Sequence, residues 1–274
     1  MPRKKRPQPV ALVTGASTGM GKDFALRLLK EGYVVYAGAR RVEHMKDIAA
    51  AGGHVLSLDV TDASSIKAAV DRILADTGRI DVLINNAGYG QFGALEDVPM
   101  DAARRQLETN LIGPAYLIQL CLPHMRAQHY GRIFNISSIG GKLATPLGGW
   151  YHASKFALEG YSDSLRNEVA RFGIDVVVIE PGAVASEWSR IAADEAERFS
   201  GKGPYADAVA RFRKQAVQLG QAAPPKTITD LIVKALRARR PQTRYHGGSR
   251  AGQLLFLRRI LPDRMFDAML TGSR

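Results

Sequence analysis

The chain has a single cysteine, Cys121, in 274 residues. That excludes internal disulfides and fits a reducing compartment, the cytoplasm; packing is the expected role of Cys121. No apolar run approaches the roughly 18 residues that a membrane span requires. No repeat and no low-complexity linker divides the chain, so residues 1–274 read as one domain, of a size normal for a single α/β unit. The six histidines show no zinc-type spacing, so no metal site is expected. The first residues, basic and then apolar, have the outline of a signal peptide, but the apolar part is too short and runs into a glycine-rich turn.

Negative charge is short at both ends. The net charge is +12. Arg3, Lys4, Lys5 and Arg6 give a basic tail over residues 1–8, and Leu236–Arg274 holds nine arginines against two aspartates. The body between them is close to neutral, which argues against nucleic acid as a partner. Basic ends on a neutral body suit solvated tails or weak attraction to an anionic surface.

What is present is a rhythm. Val10–Gly15, Tyr33–Ala39, His54–Val60, Ile80–Gly88, Arg132–Ser138 and Ile174–Gly182 are short, almost continuously apolar runs. Continuous rather than alternating apolar residues mark strands covered on both faces. Helices are expected at about 20–31, 62–77, 101–128 and 150–172, with Gly32, Gly78 and Gly173 as C-terminal stop signals. Strand and helix in alternation predict an α/β fold with a doubly wound parallel sheet. After Gly182 the rhythm changes. Residues 183–222 are helical, charged and glycine-interrupted, as expected of a lid over a ligand. A helix near 227–238 and a short strand near 243–246 follow. The end, residues 250–274, is an amphipathic extension carrying Leu254, Leu255, Leu257, Leu261, Phe266 and Leu270, interrupted by Pro262. Its arginine-flanked apolar face suits a membrane interface, packing over the active site, or another subunit.

Thr14–Gly21 reads TGASTGMG between the first strand and the first helix. Gly15, Gly19 and Gly21 let backbone amides approach a pyrophosphate, to which the helix N-terminus adds partial positive charge. An acid near the end of the second strand, the usual partner of an NAD ribose, is missing. Arg40 and Arg41 stand there instead. Guanidinium groups attract a 2′-phosphate, so the pair points to NADP(H) over NAD; the alternative is that both face solvent at a helix start. Asp59 ends the third strand, where it could accept from an adenine amino group. Asn85–Gly88, NNAG, ends the fourth.

Tyr151 and Lys155, four apart, share a helix face. A free phenol has a pKa of about 10. An ammonium about 5 Å away, at an effective dielectric near 20, favours phenolate by roughly 3 kcal/mol or about two pKa units. The spacing alone equally describes an interior tyrosine beside a snorkelling lysine. Two neighbours change the balance: Ser138 at the end of the fifth strand, and Asn110 just before Gly113-Pro114, which should break the long helix.

Together TGASTGMG, LDV at 58–60, NNAG, Asn110, Ser138, YHASK at 151–155 and Pro181-Gly182, in this order over about residues 10–186, resemble the short-chain dehydrogenase/reductase family. The resemblance implies a Rossmann-type fold and a dimer or tetramer. It implies Tyr151 as general acid/base, Ser138 as donor to the substrate oxygen, Lys155 on the nicotinamide ribose and Asn110 holding a water. It places the cofactor along Gly15, Ser17, Thr18, Gly19, Met20, Gly21, Arg40, Arg41, Asp59, Val60, Asn86, Ala87, Gly88, Tyr151, Lys155, Pro181, Gly182, Val184 and Ser186. Ser186 stands where the family usually has threonine. The text around Tyr151 is most similar to branches acting on retinoids, steroids and other apolar alcohols or ketones. The expected activity is therefore NADP(H)-dependent interconversion of an apolar carbonyl and its alcohol, with Leu143, Leu147 and Trp150 among the residues that would contact it. A protein that senses NADP(H) without turnover is the alternative.

Overall fold

The computed structural model describes residues 8–220 and 222–271. Most of the basic tail predicted at 1–8 therefore lies outside the described residues, where only Gln8 is seen, exposed. Seven strands form one sheet: β1 (Val10–Thr14), β2 (Val34–Ala39), β3 (His54–Ser57), β4 (Val82–Asn85), β5 (Gly131–Ile136), β6 (Ile174–Pro181) and β7 (Arg244–Gly247). All pairings are parallel, in the order β3-β2-β1-β4-β5-β6-β7. The chain runs outward from β1 to β3 and then returns to place β4 on the other side of β1. That reversal opens a crevice at the carboxyl ends of β1 and β4.

The helices are α1 (Gly19–Lys30), α2 (Lys46–Ala50), α3 (Ala63–Thr77), α4 (Met100–Leu107), α5 (Gly113–Ala127), α6 (Gly149–Val169), α7 (Trp188–Ser200), α8 (Ala206–Gly220), α9 (Lys226–Arg237), α10 (Ala251–Ile260) and α11 (Asp263–Thr271). Ala11 and Val13 of β1 face a core built with Phe24 and Leu28 of α1 and Ile228 and Ile232 of α9. Val10 and Leu12 face the opposite core, built with Val70 and Ile73 of α3, Leu117 and Cys121 of α5 and Leu165 of α6. Two covered faces explain why the strands are apolar at every position rather than at alternate ones. Cys121 is a packing residue there; burial pushes its thiol up to about 12.

Asp62 caps α3 by accepting from the amides of Ser64 and Ser65, and Gly78 closes it in the left-handed conformation. Gly173, also left-handed, ends the short 3-10 turn at Ala170–Phe172 that follows α6. The single helix expected at 101–128 is instead two helices joined by a π turn, Glu108–Ile112. The cause is local. A Cβ on Gly113 would lie 2.0 Å from the Val60 carbonyl oxygen, so the backbone passes closer to the end of β3 than any side chain allows. Pro114 fits in the first turn of α5, where no amide hydrogen is needed. The amphipathic end is likewise two helices, α10 and α11, parted before Pro262.

Arg132 of β5 is buried and locks the sheet to α9. Its Nη1 donates to the carbonyls of Ala235 and Leu236 at 2.5 and 2.6 Å, and its Nη2 to Ala238 at 2.6 Å. These satisfy carbonyls that the end of α9 leaves unpaired. Replacing Arg132 with Met should destabilise the protein by about 3 kcal/mol, since buried acceptors lose charge-assisted bonds. Urea unfolding would show a lower midpoint at unchanged slope.

Candidate active site

The crevice is a cavity of about 1830 Å³ running from the glycine turn after β1, past the ends of β4, β5 and β6, to α7 and α8. The ends of β1 and β4 are tied together by Thr14. Its Oγ1 accepts from the amides of Asn86 and Ala87, both at 3.0 Å. Asn86 returns the contact, its Nδ2 donating to the carbonyls of Thr14 and Gly15 at 2.9 and 3.2 Å. Gly15 has φ +66, and a Cβ on it would lie 2.8 Å from Ala87 Cα. Only glycine permits this turn at this distance. Gly21 sits behind the turn, its α carbon facing the Gly15 carbonyl, and is the one residue of the cofactor set that does not line the cavity. Ser186, in the loop after β6, comes to the turn as well: a Cβ on Gly19 would lie 3.4 Å from Ser186 Cβ.

Arg40 and Arg41 are exposed at the rim of the same cavity. Arg41 reaches Thr18 Oγ1 and Glu187, each at 3.5 Å, and Arg40 has no carboxylate partner among the described residues. Glu187 therefore competes with any anion for Arg41, a contact the sequence did not reveal. Asp59 caps the turn after β3, its Oδ1 accepting from the amide and hydroxyl of Thr61.

The first two turns of α6 carry the reactive groups. Tyr151 and Lys155 are both buried. The Lys155 ammonium donates to the Ile136 carbonyl at the end of β5, 2.8 Å away. Burial draws it down to about 8. Burial also pushes the Tyr151 phenol up to about 12, which a hydrogen bond with Ser138 offsets only in part. The acidifying effect expected of Lys155 is not seen here: burial is the main cause of the shift and Ser138 the only group that opposes it. Ser138 Oγ accepts from the Gly140 amide at 2.9 Å and lies 3.4 Å from the Pro181 carbonyl. Asn110, in the π turn, lies behind the cavity wall. Its side chain accepts from the Tyr89 amide and donates to the Tyr89 carbonyl and to Ser154, which in turn bonds the Tyr151 carbonyl.

A phosphate-sized turn, a buried tyrosine with its serine, and a lysine on one side of one cavity can be set against known proteins. The family model for short chain dehydrogenases matches residues 9–196. The chain belongs to this family. A protein described as a probable short-chain type dehydrogenase/reductase, VdlC of Helicobacter pylori, is 37% identical over 263 residues, 95% of this chain and 96% of that one. A 3-ketodihydrosphingosine reductase of Bacteroides thetaiotaomicron is 43% identical over 174 residues, 63% of each chain. Among solved structures, an actinorhodin polyketide ketoreductase variant with NADPH is 31% identical, covers 89% of this chain and 97% of its own, and gives a TM-score of 0.75. Like its relatives, this short-chain dehydrogenase is an oxidoreductase with a small-molecule substrate and a nicotinamide cofactor.

Two features of this family member were not legible in the sequence. Phe92, Trp188 and Phe212 close an aromatic wall around Tyr151. Phe92 stacks on Phe212 at 4.6 Å, and Trp188 and Phe92 lie 5.0 and 5.7 Å from the Tyr151 ring. They come from the loop after β4, from α7 and from α8, so no local pattern joins them. The second is His152. Its Nε2 accepts from the Thr145 amide at 3.0 Å, which leaves Nδ1 to donate to the Gly140 carbonyl at 2.9 Å. The ring thereby holds both ends of the loop between Ser138 and Tyr151, and Gly140 is the residue whose amide orients Ser138. The ring is buried.

Burial also holds the His152 imidazole below its ordinary 6.5. Tyr151 is the titratable group packed against it. A second ring proton would face the Thr145 amide, so the folded state resists protonation. The folded pKa is the lower one, so this stability is present above 6.5 and is lost as pH falls through the folded pKa. Thermal melts should show the wild type losing stability on acidification below that value more steeply than His152→Gln.

Proposed function

We propose that the protein is an NADP(H)-dependent reductase that interconverts an apolar ketone or aldehyde with its alcohol. The observation that carries this reading is the Tyr151 phenol, buried, bonded to Ser138 and ringed by Phe92, Trp188 and Phe212, in the cavity that also contains the glycine turn. The site fits a dinucleotide. The turn at Gly15 offers backbone amides at the N-terminus of α1, and Arg40, free of a carboxylate, suits a 2′-phosphate. A bound nicotinamide supplies the hydride.

The chain's own residues supply position and a proton. Ser138, its hydroxyl oriented by the Gly140 amide, aligns and polarises the substrate oxygen. Tyr151 donates its proton to that oxygen as negative charge develops. A phenol raised to about 12 is protonated throughout the physiological range, which is the form that carbonyl reduction requires at its start. Lys155, fixed by the Ile136 carbonyl and lining the same cavity as Tyr151, offers donors to a ribose. Asn110 braces the Tyr89 loop against α6; with its amide hydrogens engaged, any water it holds is bound by its main chain in the π turn. Ser186, close to Gly19, has the hydroxyl suited to a carboxamide. The aromatic wall, with Leu143 and Leu147 in the same cavity, favours an apolar substrate. The reductase of a long-chain keto lipid among the relatives supports that direction.

Tyr151→Phe should lower kcat by about 10²–10⁴-fold while NADPH still binds, as read by cofactor fluorescence. Wild-type turnover in that variant would overturn the assignment. Arg40→Asp should raise the KM for NADPH about 10- to 100-fold with little change for NADH, since charge-assisted bonds to a phosphate are lost. An unchanged ratio between the two cofactors would overturn the preference.

A further inference from the structure

The helices α10 and α11 have one side turned inward. Ala251 and Phe266 are buried, and Leu254 and Leu270 line the cavity. Arg258 joins the two helices, pairing with Asp263 at 2.8 Å and lying over the Phe266 ring at 5.5 Å. The other side is unusual for a surface. Phe256 and Ile260, one turn apart on α10, are 62% and 54% exposed; Met265 and Met269, one turn apart on α11, are 59% and 43% exposed. These are four of the ten large hydrophobic residues found exposed among the described residues. Arg250, Arg259 and Arg264 are exposed with them and have no carboxylate partner among the described residues. Asp263 is engaged by Arg258, which leaves Asp267 as the free acid of the two helices.

We infer that this face docks on an anionic lipid surface, with Phe256, Ile260, Met265 and Met269 entering the headgroup boundary and Arg259 and Arg264 meeting lipid phosphates. Exposed apolar residues paired along a helix and flanked by unpaired guanidinium groups are what such an interface binds. The charge argument extends beyond the two helices: Leu236–Arg274 carries nine arginines against two aspartates, and of these only Arg237, Arg244 and Arg258 have a carboxylate partner among the described residues. A second copy of the same face would bring these arginines together without carboxylates to meet them, which disfavours self-association there. The inference goes beyond the proposed reaction and does not depend on it, though docking here would set the Leu254 and Leu270 wall of the cavity beside the lipid.

The test uses the purified full chain with sucrose-loaded vesicles of phosphatidylcholine, alone or with phosphatidylglycerol, and reads the fraction that sediments. The chain should sediment with the anionic vesicles and not with the neutral ones, and salt should release it. Changing Phe256, Ile260, Met265 and Met269 together to Ser should abolish sedimentation with an unchanged melting temperature. Arg259→Glu and Arg264→Glu, at exposed positions, should each weaken partitioning by about fivefold or more. Equal sedimentation with both vesicle types, or no effect of either set of changes, would overturn the inference. Sedimentation velocity without lipid decides against a protein partner: if the serine variant breaks an oligomer that the wild type forms, the face is a subunit interface and the inference falls.

Discussion

The site depends on keeping two ionisable side chains out of water within the first turns of α6. A phenol and an ammonium are expensive to bury, and burial moves both toward their neutral forms: Tyr151 up to about 12, Lys155 down to about 8. The surroundings answer that cost group by group. The Ile136 carbonyl, at the end of β5, takes the ammonium. Ser138, one strand-end away, takes the phenol. Both partners hang from the carboxyl edge of the same strand, so the register of β5 against α6 fixes the spacing of the whole constellation. The sheet order supplies the rest, since the reversal between β1 and β4 opens the cavity on this edge alone.

Drying the phenol has a chemical consequence. In water a phenol four residues from a lysine would be acidified; here the low dielectric protects its proton. A proton donor for a developing alkoxide needs to hold its proton until charge appears on the substrate, and a buried tyrosine does so. The aromatic wall of Phe92, Trp188 and Phe212 packs beside the phenol and gives this part of the cavity an apolar surface.

The sequence displayed what is contiguous. Apolar runs gave the strands, stop glycines gave the helix ends, and TGASTGMG and YHASK gave the two halves of the site, because each of these is a local pattern with a local physical cause. It concealed what the fold brings together. Glu187 lies 146 residues from the Arg41 it contacts, and the aromatic wall is assembled from three separate segments. The π turn at Glu108–Ile112 was half visible: Gly113-Pro114 announced a break, but its form follows from contact with Val60, a residue of another element. The acidity of Tyr151 was misjudged for a related reason. Spacing reports a neighbour's charge but not how much water the fold leaves around it.

Behind Lys155 the fold buries further charge, and its arrangement explains why β7 belongs to the sheet. Glu159, one turn after Lys155, is buried and raises the ammonium's hold on its proton. It is paired with Lys142 at 2.9 Å and with Arg244 of β7 at 3.0 Å. Arg244 also bonds Asp163 and lies 3.5 Å from Glu180, the residue before Pro181-Gly182. Glu180 is pushed up to about 7, first by burial and then by Glu159. One guanidinium therefore bridges α6, β6 and β7. Without it, the buried carboxyl groups of Glu159 and Glu180 would face each other with less positive charge to offset them, which is costly. The edge strand thus completes the packing behind α6, on the side away from the cavity that the aromatic wall lines.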